Sequence, residues 1–237
     1  MKNIIGTKHD FINYEDLKNQ INENIKIKKN SLNVYFSNCH SVCYGFLKKD
    51  FLKFIQNCSF NLVDGMPLVW SYKIKYKKRV QRMAGMDIFP KLINDMHAEQ
   101  KKIFLLGGNQ EIAKRINNKL KLINKNTSNV EYFYDFNSLK KDNDKINNHI
   151  QLLKPDIIFV SLGCPKQEIW VSENMHRYKS TYVAVGGAFS TFAGLKKRPN
   201  KFIQNLGLEW LYRSIQSPQL LFKRYLFYNL LFIILII

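Results

Sequence analysis

Residues 156–165 read DIIFVSLGCP, an apolar run of strand length that ends in a turn. Four large apolar residues in succession, at 157–160, are typical of a central strand that is covered on both faces of a parallel sheet. Gly163 and Pro165 then mark a turn, and a helical pattern follows through about His176. This strand–turn–helix unit indicates an α/β fold.

The same unit recurs along the chain. Apolar runs occur at residues 32–36, 60–63, 102–106, 130–133 and 182–185, and turn residues follow most of them. The patterns predict one helix that follows the turn residues 37–40 and extends to about Gln56, and a polar helix from about Ser138 to Leu153. Residues 4–12 predict a small edge hairpin, with Asn13 as a candidate N-cap of the next helix. Strands that alternate with helices predict a parallel sheet with helices on both faces.

The pattern changes after Gly194, where no further strand is predicted. We therefore expect a catalytic domain over residues 1–194 and a helical C-terminal appendage over residues 195–237. The appendage carries seven basic side chains and one acidic one, Glu209, and ends in a 13-residue apolar run at 225–237. This run is shorter than the roughly 20 residues that span a bilayer. It fits either a segment lying on an anionic leaflet or a helix packed on the core.

The chain is strongly basic, with 37 Lys and Arg against 18 Asp and Glu, a formal charge of +19. Such a field attracts polyanions, whether nucleic acid, anionic lipid headgroups or diphosphates. Residues 73–82 carry six basic and no acidic side chains, which indicates either a solvated face or part of a site.

The four cysteines lack the spacing of a zinc site or a CxxC motif, and no secretory signal follows Met1. We therefore expect buried, reduced thiols in a cytosolic protein.

The unusual residues stand at the carboxyl ends of the predicted strands. In an open parallel sheet, ligands bind at these ends, beside helix N-termini that suit a diphosphate. We therefore predict a nucleotide-type site with these binding residues: Asn38, Gly107, Gly108, Gly163, Lys166, Gly186 and Gly187. The alternative for each glycine pair is a purely steric role in its turn.

The motifs of other nucleotide-binding proteins do not fit. No GxxxxGK[ST] run occurs, and Gly107-Gly108 lacks the GxGxxG spacing of a dinucleotide fold. Among the carboxylates, Asp64 directly follows an apolar strand and precedes Gly65. A carboxylate there is partly desolvated and suited to act as a general base. The alternative is that Asp64 only caps the next helix.

Several longer motifs occur in order along the chain: DGMPLVW at 64–70, RMAGMD at 82–87, FLLGG at 104–108, PDIIFVSLGCPKQE at 155–168, GGAF at 186–189 and GLEWLYR at 207–213. Together they resemble the WecG/TagA/CpsF family of bacterial glycosyltransferases (family 26), over roughly residues 30–228. The pieces GCPKQE and GLEWLYR are the most specific.

This resemblance implies a Rossmann-like catalytic domain and an inverting mechanism that needs neither a metal nor another cofactor. The implied donor is a UDP-activated N-acetylmannosamine, its uronic acid or another hexose. The implied acceptor is a sugar on undecaprenyl diphosphate, in the assembly of teichoic acid linkage units, enterobacterial common antigen or exopolysaccharide. The enzyme would work at the inner face of the cell membrane.

The resemblance also implies roles for individual residues. Asp64 corresponds to the proposed general base, and Gln167 lies in the site together with Arg82. The appendage would contribute arginines, for which Arg213 and Arg224 are the candidates. The residues agree with this mechanism, because without an acidic metal cluster the UDP charge must be met by helix N-termini and by cations such as Arg82 and Lys166. For Gln167, a cap at the helix start is the alternative.

The chain departs from the family pattern at three places. Ser190 stands where many relatives carry Asp, Phe36 replaces a threonine two residues before Asn38, and Arg198-Pro199 replaces Arg-Ala-Pro. These departures bear on the donor sugar more than on the reaction.

Two other functions are weighed against the transferase. A nucleic-acid-binding protein would explain the charge but not Asp64 or the glycine turns, and the transferase hypothesis expects no nucleic acid partner. A nucleotide-dependent oxidoreductase is the second alternative. Homo-oligomerisation is left open.

Overall fold

The computed structural model describes residues 3–28, 30–133, 139–216 and 218–236. The strands are β1 (Asn3–Ile4), β2 (Thr7–Lys8), β3 (Leu32–Ser37), β4 (Phe60–Val63), β5 (Ile103–Gly107), β6 (Val130–Phe133), β7 (Ile157–Ser161) and β8 (Thr181–Ala184). The helices are α1 (Tyr14–Ile27), α2 (Cys39–Leu47), α3 (Lys49–Gln56), α4 (Met66–Tyr76), α5 (Gly85–Ala98), α6 (Gln110–Lys121), α7 (Leu139–Leu153), α8 (Lys166–Asn174), α9 (Ala188–Phe192), α10 (Lys201–Asn205), α11 (Glu209–Gln216) and α12 (Pro218–Ile236). The expected start of the polar helix at Ser138 lies outside the described residues.

A six-stranded parallel sheet flanked by helices forms the framework, in the strand order β4-β3-β8-β7-β5-β6. β7, which contains the apolar run at 157–160, pairs in parallel with β8 on one side and β5 on the other. Its residues Ile157, Ile158, Phe159 and Val160 are fully buried, as a doubly covered strand requires. Strands β1 and β2 form a separate antiparallel hairpin. The predicted fold class is confirmed.

The single helix expected between the turn at 37–40 and about Gln56 is instead two helices, α2 and α3. The backbone is extended at Lys48, between them, and this break ends the first helix. Each helix then buries its own apolar residues, Val42 and Cys43 in α2 and Phe51 and Ile55 in α3. The break carries neither proline nor glycine, which explains why the sequence pattern did not reveal it.

The chain divides into two compact units. Unit 1 comprises Met1–Asn13, Tyr35–Ala84 and Lys197–Ile237, and unit 2 comprises Tyr14–Val34 and Gly85–Lys196. Unit 2 contains β5 to β8, and in its core the ring of Phe89 lies 5.1 Å from that of Phe159 and 5.0 Å from that of Phe189.

The core of unit 1 gathers residues from its three chain segments: Ile4, Cys39, Val42, Cys43, Val63, Leu68, Tyr72 and Phe232. None of the four cysteines forms a disulfide within the described residues. Cys39 and Cys43 fill space in this core as expected, whereas Cys58 and Cys164 are only partly buried, so the expectation of buried thiols is wrong for these two. Because Phe232 belongs to α12, the apolar end of the chain is a part of the core of its unit.

Helix α12 has two different faces. Leu221 and Phe232 are buried, at 6% and 3% exposure. Other large apolar side chains of the helix are 44–71% exposed: Phe222, Leu226, Phe227, Leu230, Ile233 and Ile234. Of the two alternatives for this run, packing on the core is therefore observed for one face. The other face is not covered by any of the described residues. Among the described residues, no helix is long and apolar enough to cross a membrane.

Candidate active site

Asp64 follows β4 directly and is fixed by its backbone. Its amide N–H donates a 2.8 Å hydrogen bond to the carbonyl oxygen of Ser37, at the end of β3. The N-cap of the following helix is Gly65, and no side chain caps that helix. The capping alternative for Asp64 therefore finds no support, and its carboxylate is available for another task.

Arg82 lies against Asp64 through two of its nitrogens. The Nε–H donates to the carbonyl oxygen of Asp64, and Nη2 lies 3.3 Å from the carboxylate oxygen Oδ1. The Arg82 side chain is only 18% exposed. The other basic side chains of residues 73–82 at Lys73, Lys75, Lys77 and Arg79 are exposed, so the solvated-face interpretation applies to them and not to Arg82.

Glu209, the first residue of α11, joins this pair. Its Oε2 accepts a 2.7 Å hydrogen bond from Nη2 of Arg82, and its Oε1 accepts a 3.0 Å bond from Nε of Arg198. The carboxylate is 12% exposed. Sequence reasoning did not place Glu209 or Arg198 among the site residues. The available signal was that Glu209 is the one acidic residue in the otherwise basic segment 195–237.

The two carboxylates of this cluster differ in proton affinity. Burial raises the pKa of Asp64 above its ordinary value, the charge of Arg82 opposes this, and the charge of Glu209 adds to it. Burial would also raise the pKa of Glu209, but the hydrogen bonds and charges of Arg198 and Arg82 outweigh it and lower that pKa. Asp64 is thus the better base of the two, and Glu209 remains an anion.

Asn38 is engaged locally, as the N-cap of α2. Its Oδ1 accepts a hydrogen bond of 3.2 Å from the amide of Ser41, whose hydroxyl in turn pairs with the Asn38 amide. A Cβ on Gly65 would meet Asn38 at 3.4 Å, so the turns that hold Asn38 and Asp64 lie together in unit 1.

The predicted arginines of the appendage also belong to unit 1. The positive charge of Arg213 opposes the burial-driven rise in the pKa of Asp64. Arg224 is half-buried on α12, and its Nε is buried without a hydrogen-bond partner in the part of the chain that the structure describes. Its charge helps to lower the pKa of His40.

The predicted glycine turns and Gln167 lie in unit 2. Gln167 is buried, and its side-chain Oε1 accepts a 3.0 Å hydrogen bond from the backbone N–H of Gly186. Its backbone N–H donates to the carbonyl oxygen of Gly163. Gln167 thereby joins the two turns. Its side chain does not cap α8, whose N-cap is Pro165. Lys166 begins α8 and is exposed.

The physical reason for a glycine differs between the predicted turns. Gly107 has a φ of +115°, and a Cβ there would lie 2.5 Å from the carbonyl oxygen of Ser161. The steric alternative therefore accounts for Gly107. Gly186 and Gly163 also have positive φ, of +56° and +77°, but a Cβ added at either would meet no atom within 4 Å. These two turns leave room for a ligand close to the backbone. Of the remaining predicted glycines, Gly108 lies in the turn of Gly107 and Gly187 lies in the turn of Gly186.

The described residues include no group of three or more His, Cys, Asp and Glu side chains able to hold a metal ion. In unit 1 the structure brings together Asp64, Arg82 and Asn38, with the charge of Arg213 acting on Asp64. In unit 2 it brings together Gln167, Gly163 and Gly186.

Comparison with known proteins identifies the family. The model of the WecG/TagA/CpsF family of glycosyl transferases matches residues 2–237. The N-acetylglucosaminyldiphosphoundecaprenol N-acetyl-beta-D-mannosaminyltransferase of Staphylococcus aureus strain MW2 is 29% identical over 205 residues, 84% of this chain and 79% of the relative. The protein of the same name from strain NCTC 8325 is 29% identical over 203 residues, 83% of this chain and 78% of the relative. The chain belongs to the WecG/TagA/CpsF family and is a glycosyltransferase.

Proposed function

We propose that the chain transfers a sugar, N-acetylmannosamine or a related hexose, from a UDP-sugar to a sugar carried on undecaprenyl diphosphate. The names of the similar Staphylococcus aureus enzymes support the acceptor and the transferred sugar. The product would enter a teichoic acid or another cell-surface polysaccharide. The observation that carries this proposal is Asp64, a carboxylate with a raised pKa that caps no helix and lies against Arg82.

In the proposed reaction, Asp64 accepts the proton of the acceptor hydroxyl as its oxygen attacks the anomeric carbon. The new glycosidic bond forms on the face opposite the leaving group, and the bond from the anomeric carbon to the UDP oxygen breaks. UDP departs with the electron pair. One base and a stabilised diphosphate are sufficient for such an inversion, and no step requires a cofactor.

The other predicted residues are assigned to substrate binding or positioning. Gln167 fixes the backbone of Gly186, and the turns with Gly107, Gly108, Gly163 and Gly187 would present backbone N–H groups to the donor diphosphate. In unit 2, Lys166 would also offset the charge of the donor diphosphate. In unit 1, Arg82, Arg213 and Arg224 would offset negative charge on the substrates. Asn38 would position substrate through the turn that it caps.

We keep the division into a catalytic domain at residues 1–194 and an appendage at 195–237 as a functional proposal. Arg198 and Glu209 of the appendage belong to the same hydrogen-bonded cluster as Asp64 and Arg82. The appendage would therefore take part in forming the site as well as in reaching the membrane.

Peripheral association with the inner face of the cell membrane completes the proposal. Two surfaces of unit 1 support membrane association. One is the uncovered face of α12, and the other is a basic groove lined by Trp70, Lys73, Ile74, Lys77 and Arg79. Exposed apolar side chains beside cations favour an anionic leaflet, because apolar burial and charge attraction add.

A panel of UDP-sugars tests the proposal. Each donor would be incubated with the protein and a synthetic prenyl-diphosphate-linked N-acetylglucosamine, and the lipid product identified by mass spectrometry and the new anomeric linkage by NMR. We expect one donor to give an inverted product, with UDP-N-acetylmannosamine the first candidate. Transfer from no UDP-sugar to this acceptor, by protein that is folded, would contradict the proposal.

A further inference from the structure

Arg82 is shared between two carboxylates, and the division is unequal. Its Nη2 lies 2.7 Å from Oε2 of Glu209 but 3.3 Å from Oδ1 of Asp64. The shorter hydrogen bond therefore goes to Glu209. Glu209 also accepts from both Nε and Nη2 of Arg198, at 3.0 Å and 3.3 Å.

The sharing affects how readily Asp64 can accept a proton. An arginine that pairs fully with one aspartate stabilises the carboxylate form and depresses its pKa by about one to three units. Such an aspartate is a weak base. Glu209 draws the shared nitrogen of Arg82 toward itself and neutralises Arg198, whose charge would otherwise lower the pKa of Asp64 further.

We infer that Glu209 is a positioning residue that holds Arg82 and Arg198 back from full pairing with Asp64, so that Asp64 retains the basicity that its role requires. This inference rests on the proposed function of Asp64 as the base. Glu209 does not contact the reacting atoms in this account, but acts through the two arginines.

The charged groups that act on Asp64 are Arg82, Glu209, Arg198 and Arg213. Removing a negative charge from this set must strengthen the pairing of the remaining cations with Asp64. Removing Arg198 must do the opposite, because Glu209 then pairs with Arg82 alone. A purely structural cluster predicts only that both changes loosen the fold.

Two substitutions with opposite expected signs test the inference. Glu209→Gln keeps the shape of the side chain and an acceptor oxygen but loses the charge. We expect the acidic limb of the profile of kcat/KM against pH to shift to lower pH, by about one pH unit. The rate on the plateau should fall about threefold to tenfold, as the base weakens. Arg198→Gln should move the limb upward, and Glu209→Asp should restore part of the wild-type profile. UDP-N-acetylmannosamine and the prenyl-diphosphate-linked N-acetylglucosamine are the probes.

A ¹³C NMR titration of the Asp64 carboxyl group compares the Asp64 pKa between the variants without measuring activity. The Asp64 resonance is assigned as the one that disappears in Asp64→Asn. The matched control is Glu15→Gln, which removes an exposed acid that pairs with Lys18 on α1. It should leave both profiles unchanged. If the Asp64 pKa and the acidic limb do not move in Glu209→Gln, or move in the same direction in Arg198→Gln, the inference is wrong.

The two proposals fail in different ways. An active Asp64→Asn variant contradicts the base itself and overturns the inference with it. If Asp64→Asn is inactive but the acidic limb of kcat/KM does not shift in Glu209→Gln, only the role of Glu209 is contradicted. If Glu209→Gln does not fold, Arg198→Gln still decides the question, since an unchanged Asp64 pKa in that variant overturns the inference.

Discussion

Arg82 donates a 2.7 Å hydrogen bond to Glu209, which lies 127 positions later in the chain. The bond joins the loop that follows α4 to the first residue of α11. Through it, the basic C-terminal segment reaches the immediate surroundings of Asp64. The segment thus contacts the rest of unit 1 in two ways, through this polar cluster and through the apolar packing of α12.

Replacing Phe232 with alanine should destabilise the protein severely. Its side chain is 3% exposed within the core of unit 1, and Phe→Ala changes at such positions cost about 3–5 kcal/mol. Urea denaturation measures the loss. The control Ile234→Ala changes a side chain of the same helix that is 71% exposed, and it should alter stability by less than about 0.5 kcal/mol. Equal effects of the two variants would show that α12 does not pack as described.

Deleting residues 225–237 is therefore not a clean test of membrane binding, because it removes Phe232 from the core. Leu230→Ser combined with Ile234→Ser changes only the uncovered face. We expect unchanged stability and at least a tenfold weaker partition onto anionic vesicles, since each buried methylene contributes about 0.8 kcal/mol. Flotation measures this. The control Leu122→Ser alters a leucine of unit 2 that is 87% exposed, and this variant should bind normally. Unchanged flotation of the double variant would contradict a membrane role for α12.

The sheet was predictable from the sequence because its strands are short, mostly apolar runs and turn residues follow most of them. The position of Asp64 followed from the same pattern, as the first polar residue after such a run. The division between α2 and α3 was not predictable, because Lys48 gives no local signal. The two faces of α12 could not be separated either, since apolar residues occur all around the helix and only the tertiary packing decides which of them are buried.

The cluster around Asp64 was predictable only in part. Arg82 was recognised through a motif close to Asp64 in the chain. Glu209 lay in a recognised motif without being assigned a role, and its partnership with Arg82 depends on a separation of 127 residues that no local pattern encodes. The cap made by Asn38 could have been read from Ser41, three residues later, because this spacing favours reciprocal capping.

Acid should destabilise unit 1 through two buried histidines. Burial lowers the pKa of His9 to about 4, and burial together with the charge of Arg224 lowers that of His40 to about 4. The unfolded chain binds these protons near pH 6.5, so it binds more protons than the folded state between pH 6.5 and 4. The free energy of unfolding should therefore fall as the pH drops through this window, by about 1.4 kcal/mol per pH unit for each histidine.

Chemical denaturation at several pH values measures this slope. His9→Gln and His40→Gln should each reduce it, whatever they do to stability at neutral pH. His176→Gln, at an exposed position, is the control and should leave the slope as it is. A double variant with the wild-type slope would contradict the assignment.

Transfer should continue in the presence of EDTA. The family resemblance implies a metal-independent reaction, and cationic side chains are proposed to meet the charge of the diphosphate. Initial rates before and after chelation test this expectation. An enzyme that loses activity in EDTA and regains it with Mg²⁺ or Mn²⁺ would show that a metal takes part.

The most direct test of the account is the single-turnover rate of Asp64→Asn with a donor that the wild-type enzyme accepts. The amide has the same shape, and the Ser37 backbone contact of residue 64 is retained, but it cannot take up the proton of the acceptor hydroxyl. We expect the chemical step to slow by ~10²–10⁴-fold while UDP affinity and thermal stability stay close to wild type. A variant that retains more than about a third of the wild-type rate, measured where chemistry limits turnover, would contradict the assignment of Asp64 as the general base.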